Sequence, residues 1–203
     1  MNRALSILTC ACLVVLIAVL QRFVVGKEDM VDPITTAGDT DAAVTTDDFA
    51  VRVTEVDLAT SLEVPDDADG GTHTVEANGA WVLVWADVTA TRETIENLPS
   101  ELRMRDGSVY VERGWFRDSL DHQTFSPGLP VHGAFVFEVP TDRIEKPALV
   151  VTHAFGYDSR LGAQAKVDLG LENPEPTDRP ATLLPAELRA DGAETGEDDH
   201  AST

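Results

Sequence analysis

Ser119, Asp121 and His122 stand within four positions of one another. A serine, an imidazole and a carboxylate are the parts of an acyl-transfer relay, in which the ring takes the hydroxyl proton and the acid orients the ring. Relays of this kind are assembled in space, so closeness in sequence neither makes nor excludes one. No nucleophile-elbow glycine pattern surrounds Ser119, and no Gly-rich phosphate loop occurs. An undetected hydrolase is therefore the last of three functional readings. The expectation is a protein that is not an enzyme, with no catalytic residue and no cofactor.

His122, His132 and His153, with Asp121, offer nitrogen and oxygen donors to a metal. No pair has metal-ligand spacing such as His-x-x-x-His, and scattered surface histidines are the plainer reading. Asp66, Asp67 and Asp69 precede Gly70-Gly71 and present oxygens that Ca²⁺ could use. Their spacing misses the EF-hand pattern and no glutamate closes the loop, so a solvated turn is the default. These three aspartates are weak metal candidates, and no metal is expected.

Two aromatic groups are candidate partner patches. Trp81 and Trp85 share one strand face with Leu83, and Trp115-Phe116 lies beside Arg113 and Arg117. Aromatic side chains are enriched at interfaces. The competing reading of the first group is packing against a neighbouring segment. For the second it is an edge strand with one ring tucked in.

The elements that must hold these residues are strands. Phe49, Val51 and Val53 alternate with Ala50 and Arg52, and the parity shift to Val56 and Leu58 predicts a β-bulge near Thr54 or Glu55. Ala80 to Ala90 is apolar on both faces for half its length, which predicts a central strand with its second face partly covered. Asp106-Gly107 is a hairpin turn signal between 101–105 and 109–112. Phe135, Phe137 and Val139 alternate with Ala134 and Val136, and Leu149 to Thr152 and Ala165 to Leu169 supply further strands. Seven or eight short strands within about 120 residues predict an all-β antiparallel sandwich over 48–171. A short helix is allowed near Thr91 to Leu98 or Pro185 to Ala190.

The flanks differ in composition. The formal charge is −21, which argues against nucleic acid and against polybasic attachment to lipid headgroups. Residues 26–48 carry seven acids and one base, and residues 172–203 nine acids and two bases. They are expected to be a flexible acidic stalk over 26–47 and a disordered acidic tail over 172–203. Before them, Ala4 to Leu20 is an apolar run near the ~20 residues that a membrane-spanning helix needs. No small-x-small cleavage pattern follows, so residues 1–25 are expected to be an uncleaved transmembrane signal-anchor, with a removed signal peptide as the alternative. Cys10 and Cys12 lie in that run, two apart, and do not face each other on a helix. The expected sandwich therefore has no thiol chemistry.

The order Gly79-Ala80-Trp81-Val82-Leu83-Val84 through Val88-Thr89, then Asp106-Gly107-Ser108-Val109-Tyr110, Ser126-Pro127-Gly128 and Gly133-Ala134-Phe135-Val136-Phe137-Glu138-Val139-Pro140 resembles a bacterial family of secreted and lipid-anchored domains. That family is domain of unknown function 4352, related to a secreted immunoprotective antigen domain. Thr91-Arg92-Glu93 stands where the family has an Asn. The resemblance implies an immunoglobulin-like β-sandwich and an envelope location, and no activity or catalytic residue. The resulting expectation is a single-pass protein of the cell membrane, anchored by its N-terminal helix, with its domain extracytoplasmic and a protein partner in the envelope. A metal- or small-ligand-binding envelope sensor is the alternative.

Overall fold

Val82, Val84, Ala86, Val88 and Ala90 point one way and Trp81, Leu83 and Trp85 the other, because successive side chains of a strand alternate; both sets are buried. A strand with two dry faces must lie between two cores. The computed structural model describes residues 13, 32–66, 71–112, 116–155, 158–172 and 174–189. Among them the strands are β1 (Ile34–Asp39), β2 (Val44–Thr45), β3 (Phe49–Pro65), β4 (Thr72–Ala90), β5 (Ile95–Glu96), β6 (Ser100–Arg103), β7 (Val109–Val111), β8 (Thr124–Phe125), β9 (Val131–Val139), β10 (Ala148–Phe155), β11 (Asp158–Asp168), β12 (Ala181–Thr182) and β13 (Glu187–Leu188). Short 3-10 turns occupy Leu120–His122 and Thr141–Arg143.

The result is an all-β sandwich. One sheet runs β1-β11-β10-β6-β7 and the other β12-β3-β4-β9-β13, with β2 also on β3. The main core lies between them. Phe49, Val51 and Val53 of β3, Phe135, Phe137 and Val139 of β9, and Leu102, Leu149, Val151 and Val167 of the facing sheet meet there. The predicted bulge is present, as a register shift between Val53 and Glu55, and a second shift falls between Ala59 and Ser61. An extra residue reverses parity: Val56 and Leu58 pack against the main core, whereas Leu62 and Val64 enter the second core on the outer face of the sheet. The Asp106-Gly107 hairpin joins β6 to β7, with Gly107 at φ 88°.

The flanks depart from expectation. Six residues of the expected stalk form β1, parallel to β11. All six are exposed, so no apolar rhythm announces them; backbone pairing holds the strand, helped by Thr35 Oγ1 donating to Gln164 Oε1 at 2.9 Å. The expected tail is ordered over 174–189. It lays β12 parallel on β3 and β13 antiparallel on β9, and buries Leu183 completely. One sheet thus gains β1 from the flanks and the other β2, β12 and β13, and the sandwich is mixed rather than wholly antiparallel. The helices allowed at 91–98 and 185–190 are replaced by the short strands β5 and β13. The chain divides into units Met1–Asp32 and Pro33–Thr203. The expected signal-anchor over 1–25 lies outside the described residues apart from Leu13. No helix among the described residues is long and apolar enough to cross a membrane.

Candidate functional site: a buried carboxylate cluster

Glu112 follows edge strand β7 on the same side as Tyr110, which packs against the main core. The alternation that turns Tyr110 inward also turns Glu112 inward. Its side chain is 7% exposed, and Oε1 is buried with no hydrogen-bond partner among the described residues. Oε2 lies 3.5 Å from His122 Nε2, on the 3-10 turn between β7 and β8. That turn is fixed by Leu120, fully buried in the main core, and by Asp121. Asp121 Oδ1 accepts the Ser100 N–H at 2.6 Å, and Oδ2 accepts the Ser100 hydroxyl at 2.9 Å and the Ser119 hydroxyl at 3.1 Å.

Two acids in one dry cluster resist double ionisation. Burial, and then the charge of Asp121, push the Glu112 carboxyl up to about 8. Burial pushes Asp121 up to about 6, against the hydrogen bonds from Ser100 and Ser119 and the charge of His122. Near neutral pH the pair therefore holds one proton and one negative charge between them.

The structure brings Ser119 and Asp121 together, but not as a relay. The Ser119 hydroxyl donates to Asp121 and accepts the Asp121 N–H at 3.4 Å, the role of a cap on the turn. Ser119 is fully buried, and the His122 ring faces Glu112. The three histidines pair with different acids: His132 Nδ1 lies 2.8 Å from Asp87 Oδ1 and His153 Nδ1 lies 3.0 Å from Asp48 Oδ2. No group of three or more His, Cys, Asp or Glu among the described residues is placed to hold a metal ion. The Asp66 N–H donates to Gly71 O at 2.8 Å, and Asp67 and Asp69 lie outside the described residues.

Trp81, Trp85 and Phe116 do not form an open patch. They are 2%, 8% and 5% exposed, packed with Leu62, Val136 and Leu183 in the second core. The cover comes from Leu183 of the tail and Phe116 of the β7–β8 connection, and neither segment carries an apolar rhythm. Trp115 lies outside the described residues. Sequence reasoning missed Glu112 and Ser100; the signal for Glu112 was its even spacing from Tyr110.

A groove of about 510 Å³ opens elsewhere, at the edge of β3. β2 pairs with Ala50 and Val51, and β12 with Leu62 and Glu63. Between them Thr177 bridges Ala59, its N–H donating to Leu58 O at 2.9 Å. Because backbone groups alternate along a strand, the N–H and C=O of Val56 point to this same edge, where no neighbouring strand among the described residues pairs with them. Val56, Leu58, Ala59 and Pro180 line the groove together with Asp57, Glu175 and Arg179.

Among solved structures the chain is similar to an uncharacterised β-sandwich protein from Clostridium difficile, at 13% identity and a TM-score of 0.42, over 68% of this chain and 95% of that one. It is also similar to MPT63, a secreted protein from Mycobacterium tuberculosis, at 19% identity and a TM-score of 0.44, over 67% of this chain and 97% of that one. No family model matches the chain and no curated protein matches its sequence.

Proposed function

We propose that this chain is an immunoglobulin-like binding or scaffolding module of the bacterial cell envelope. In this reading the N-terminal apolar run holds it at the membrane, the sandwich lies outside the cytoplasm, and it acts through protein–protein contacts. The observation that carries the binding role is the open edge of β3. Unpaired edge groups at Val56 beside a groove of mixed polar and apolar lining are a template for strand addition, in which main-chain hydrogen bonds supply affinity and side-chain pockets supply selectivity. The occupant is an extended segment of a partner protein. A chain of charge −21 disfavours an acidic segment and favours a basic one. Membrane attachment confines the module to the plane and raises its effective concentration at a membrane-bound partner.

The test is photo-crosslinking in membranes from Val56 and Glu175, with Asp142, exposed at the Thr141–Arg143 turn, as the control position. Groove positions should trap a partner polypeptide and the control should not. Val56→Pro, which removes the edge N–H, should weaken capture while leaving the β3–β4 ladder intact. Equal labelling from all three positions would sink the groove, and protease protection placing the sandwich on the cytosolic side would sink the location.

A further inference from the structure

Glu112 is a poor choice for a purely structural position. An apolar side chain of similar size would fill the space, whereas Glu112 buries an oxygen that no described residue satisfies. Three elements pack around it. The turn supplies Asp121 and His122, with Arg117 and Asp118 as its other charged residues. β6 supplies Ser100, and the adjacent Glu101 is ion-paired with Arg103. β9 packs on the turn through Leu120 over Gly133; its titratable residues His132 and Glu138 bond to Asp87 and Asn78.

We propose that Glu112, Asp121 and His122 form a proton-operated clasp between the end of edge strand β7 and the turn that seats Phe116 on Trp81. The clasp is closed while the two carboxylates hold one proton between them. It opens when that proton is lost to solvent past His122, whose side chain is 38% exposed and stands at the mouth of the cluster. The asymmetry of anchoring says which group leaves. Asp121 accepts three hydrogen bonds from Ser100 and Ser119 and sits beside the fully buried Leu120. Among the described residues Glu112 has His122 alone. A second negative charge therefore drives Glu112 outward and removes the tie at the His122 end of the turn.

The consequence reaches the second core through two contacts. The Ser119 N–H donates to Phe116 O at 3.0 Å, and the Phe116 ring stands edge-on to Trp81, with centroids 5.4 Å apart. With the Glu112 tie gone the turn is held by Leu120 and Asp121, and the added play lets Phe116 lift from the apolar face formed by Trp81, Ala134 and Val136. The direction of the titration agrees. Burial and the charge of Asp121 hold the Glu112 proton to about pH 8, so the clasp is closed at neutral pH and opens in mild alkali.

The test uses the full chain, with Trp115→Phe to isolate Trp81 and Trp85. Tryptophan emission should shift to the red between pH 6 and 9 with a midpoint near 8, together with the ¹³C shift of the Glu112 carboxyl. Glu112→Gln should hold emission at its neutral-pH value throughout. Flat emission over that range while the carboxyl titrates would overturn the proposal, as would a red shift that survives in Glu112→Gln. The carboxyl titration is read in the chain with Glu112 intact, so the test stands even if the glutamine variant fails to fold.

Discussion

The indole N–H of Trp85 donates to Asp57 Oδ2 across β3 and β4 at 2.8 Å. The bond ties a ring of the second core to a residue that lines the β3 groove. A hydrogen bond to a charged group is worth about 1.5–3 kcal/mol when buried and less at a half-buried site. Trp85→Phe and Asp57→Ala should each destabilise by about 1–2 kcal/mol in urea unfolding, and the double mutant should show a coupling of about 1 kcal/mol. Strict additivity would mean that the bond contributes nothing.

Much of the sandwich was legible because its strands bury one face and alternate cleanly. Phe135 and Phe137 against Ala134 and Val136 separate two cores on period two alone, and the shift from Val53 to Val56 marked its bulge. β1 and the 174–189 segment were illegible for a physical reason. A strand held at a sheet edge by backbone bonds has no need of apolar alternation, and Leu183 is a single anchor in a proline-rich stretch. The same gap hid the carboxylate cluster. Ser119, Asp121 and His122 were visible as neighbours, but their partners Ser100 and Glu112 come from β6 and the end of β7, and only pairing in space reveals them.

Global stability should fall as pH rises. Glu112 keeps its proton in the folded state to about 8, far above its ordinary 4.5, and Asp121 to about 6 rather than 3.8. Between each ordinary value and each raised one the unfolded chain has released a proton that the folded chain still binds. The stabilising contribution is therefore complete below about pH 4 and is lost by about pH 8. The expected loss is on the order of a few kcal/mol, at ~1.4 kcal/mol for each tenfold difference in proton affinity between the folded and unfolded chain, reduced by relaxation of the site. Urea midpoints measured from about pH 5 to 9 should decline, and Glu112→Gln should flatten the decline above about pH 6. An unchanged slope in that variant would place the titration elsewhere.

Leu183 is fully buried against Trp81 and Leu62 in the second core. Removing a buried leucine side chain costs about 2–5 kcal/mol, depending on how far the site collapses. Leu183→Ala should lower the urea midpoint accordingly and raise the accessibility of Trp81. Leu188→Ala, on the same segment but 68% exposed, should change stability by less than about 0.5 kcal/mol. If both are silent, the segment does not cover the sheet in solution.

Gly79 tests how closely β4 and the end of β9 approach. A Cβ at this position would lie 2.3 Å from Val139 O and 2.7 Å from Pro140 Cα. Both are backbone atoms at the end of a buried strand, so neither can yield as a flexible side chain would. Gly79→Ala should cost about 3 kcal/mol or more, the upper end of overpacking penalties. Gly71 meets nothing within 4 Å and lies at the other end of β4's long hairpin with β3. There, Gly71→Ala should be neutral or slightly stabilising, by a few tenths of a kcal/mol, through the lower entropy of the unfolded chain. Thermal unfolding of the two single mutants separates steric closeness at Gly79 from a general intolerance of alanine in this hairpin. Equal midpoints would mean that the β4–β9 contact at Gly79 is looser than its backbone distances require.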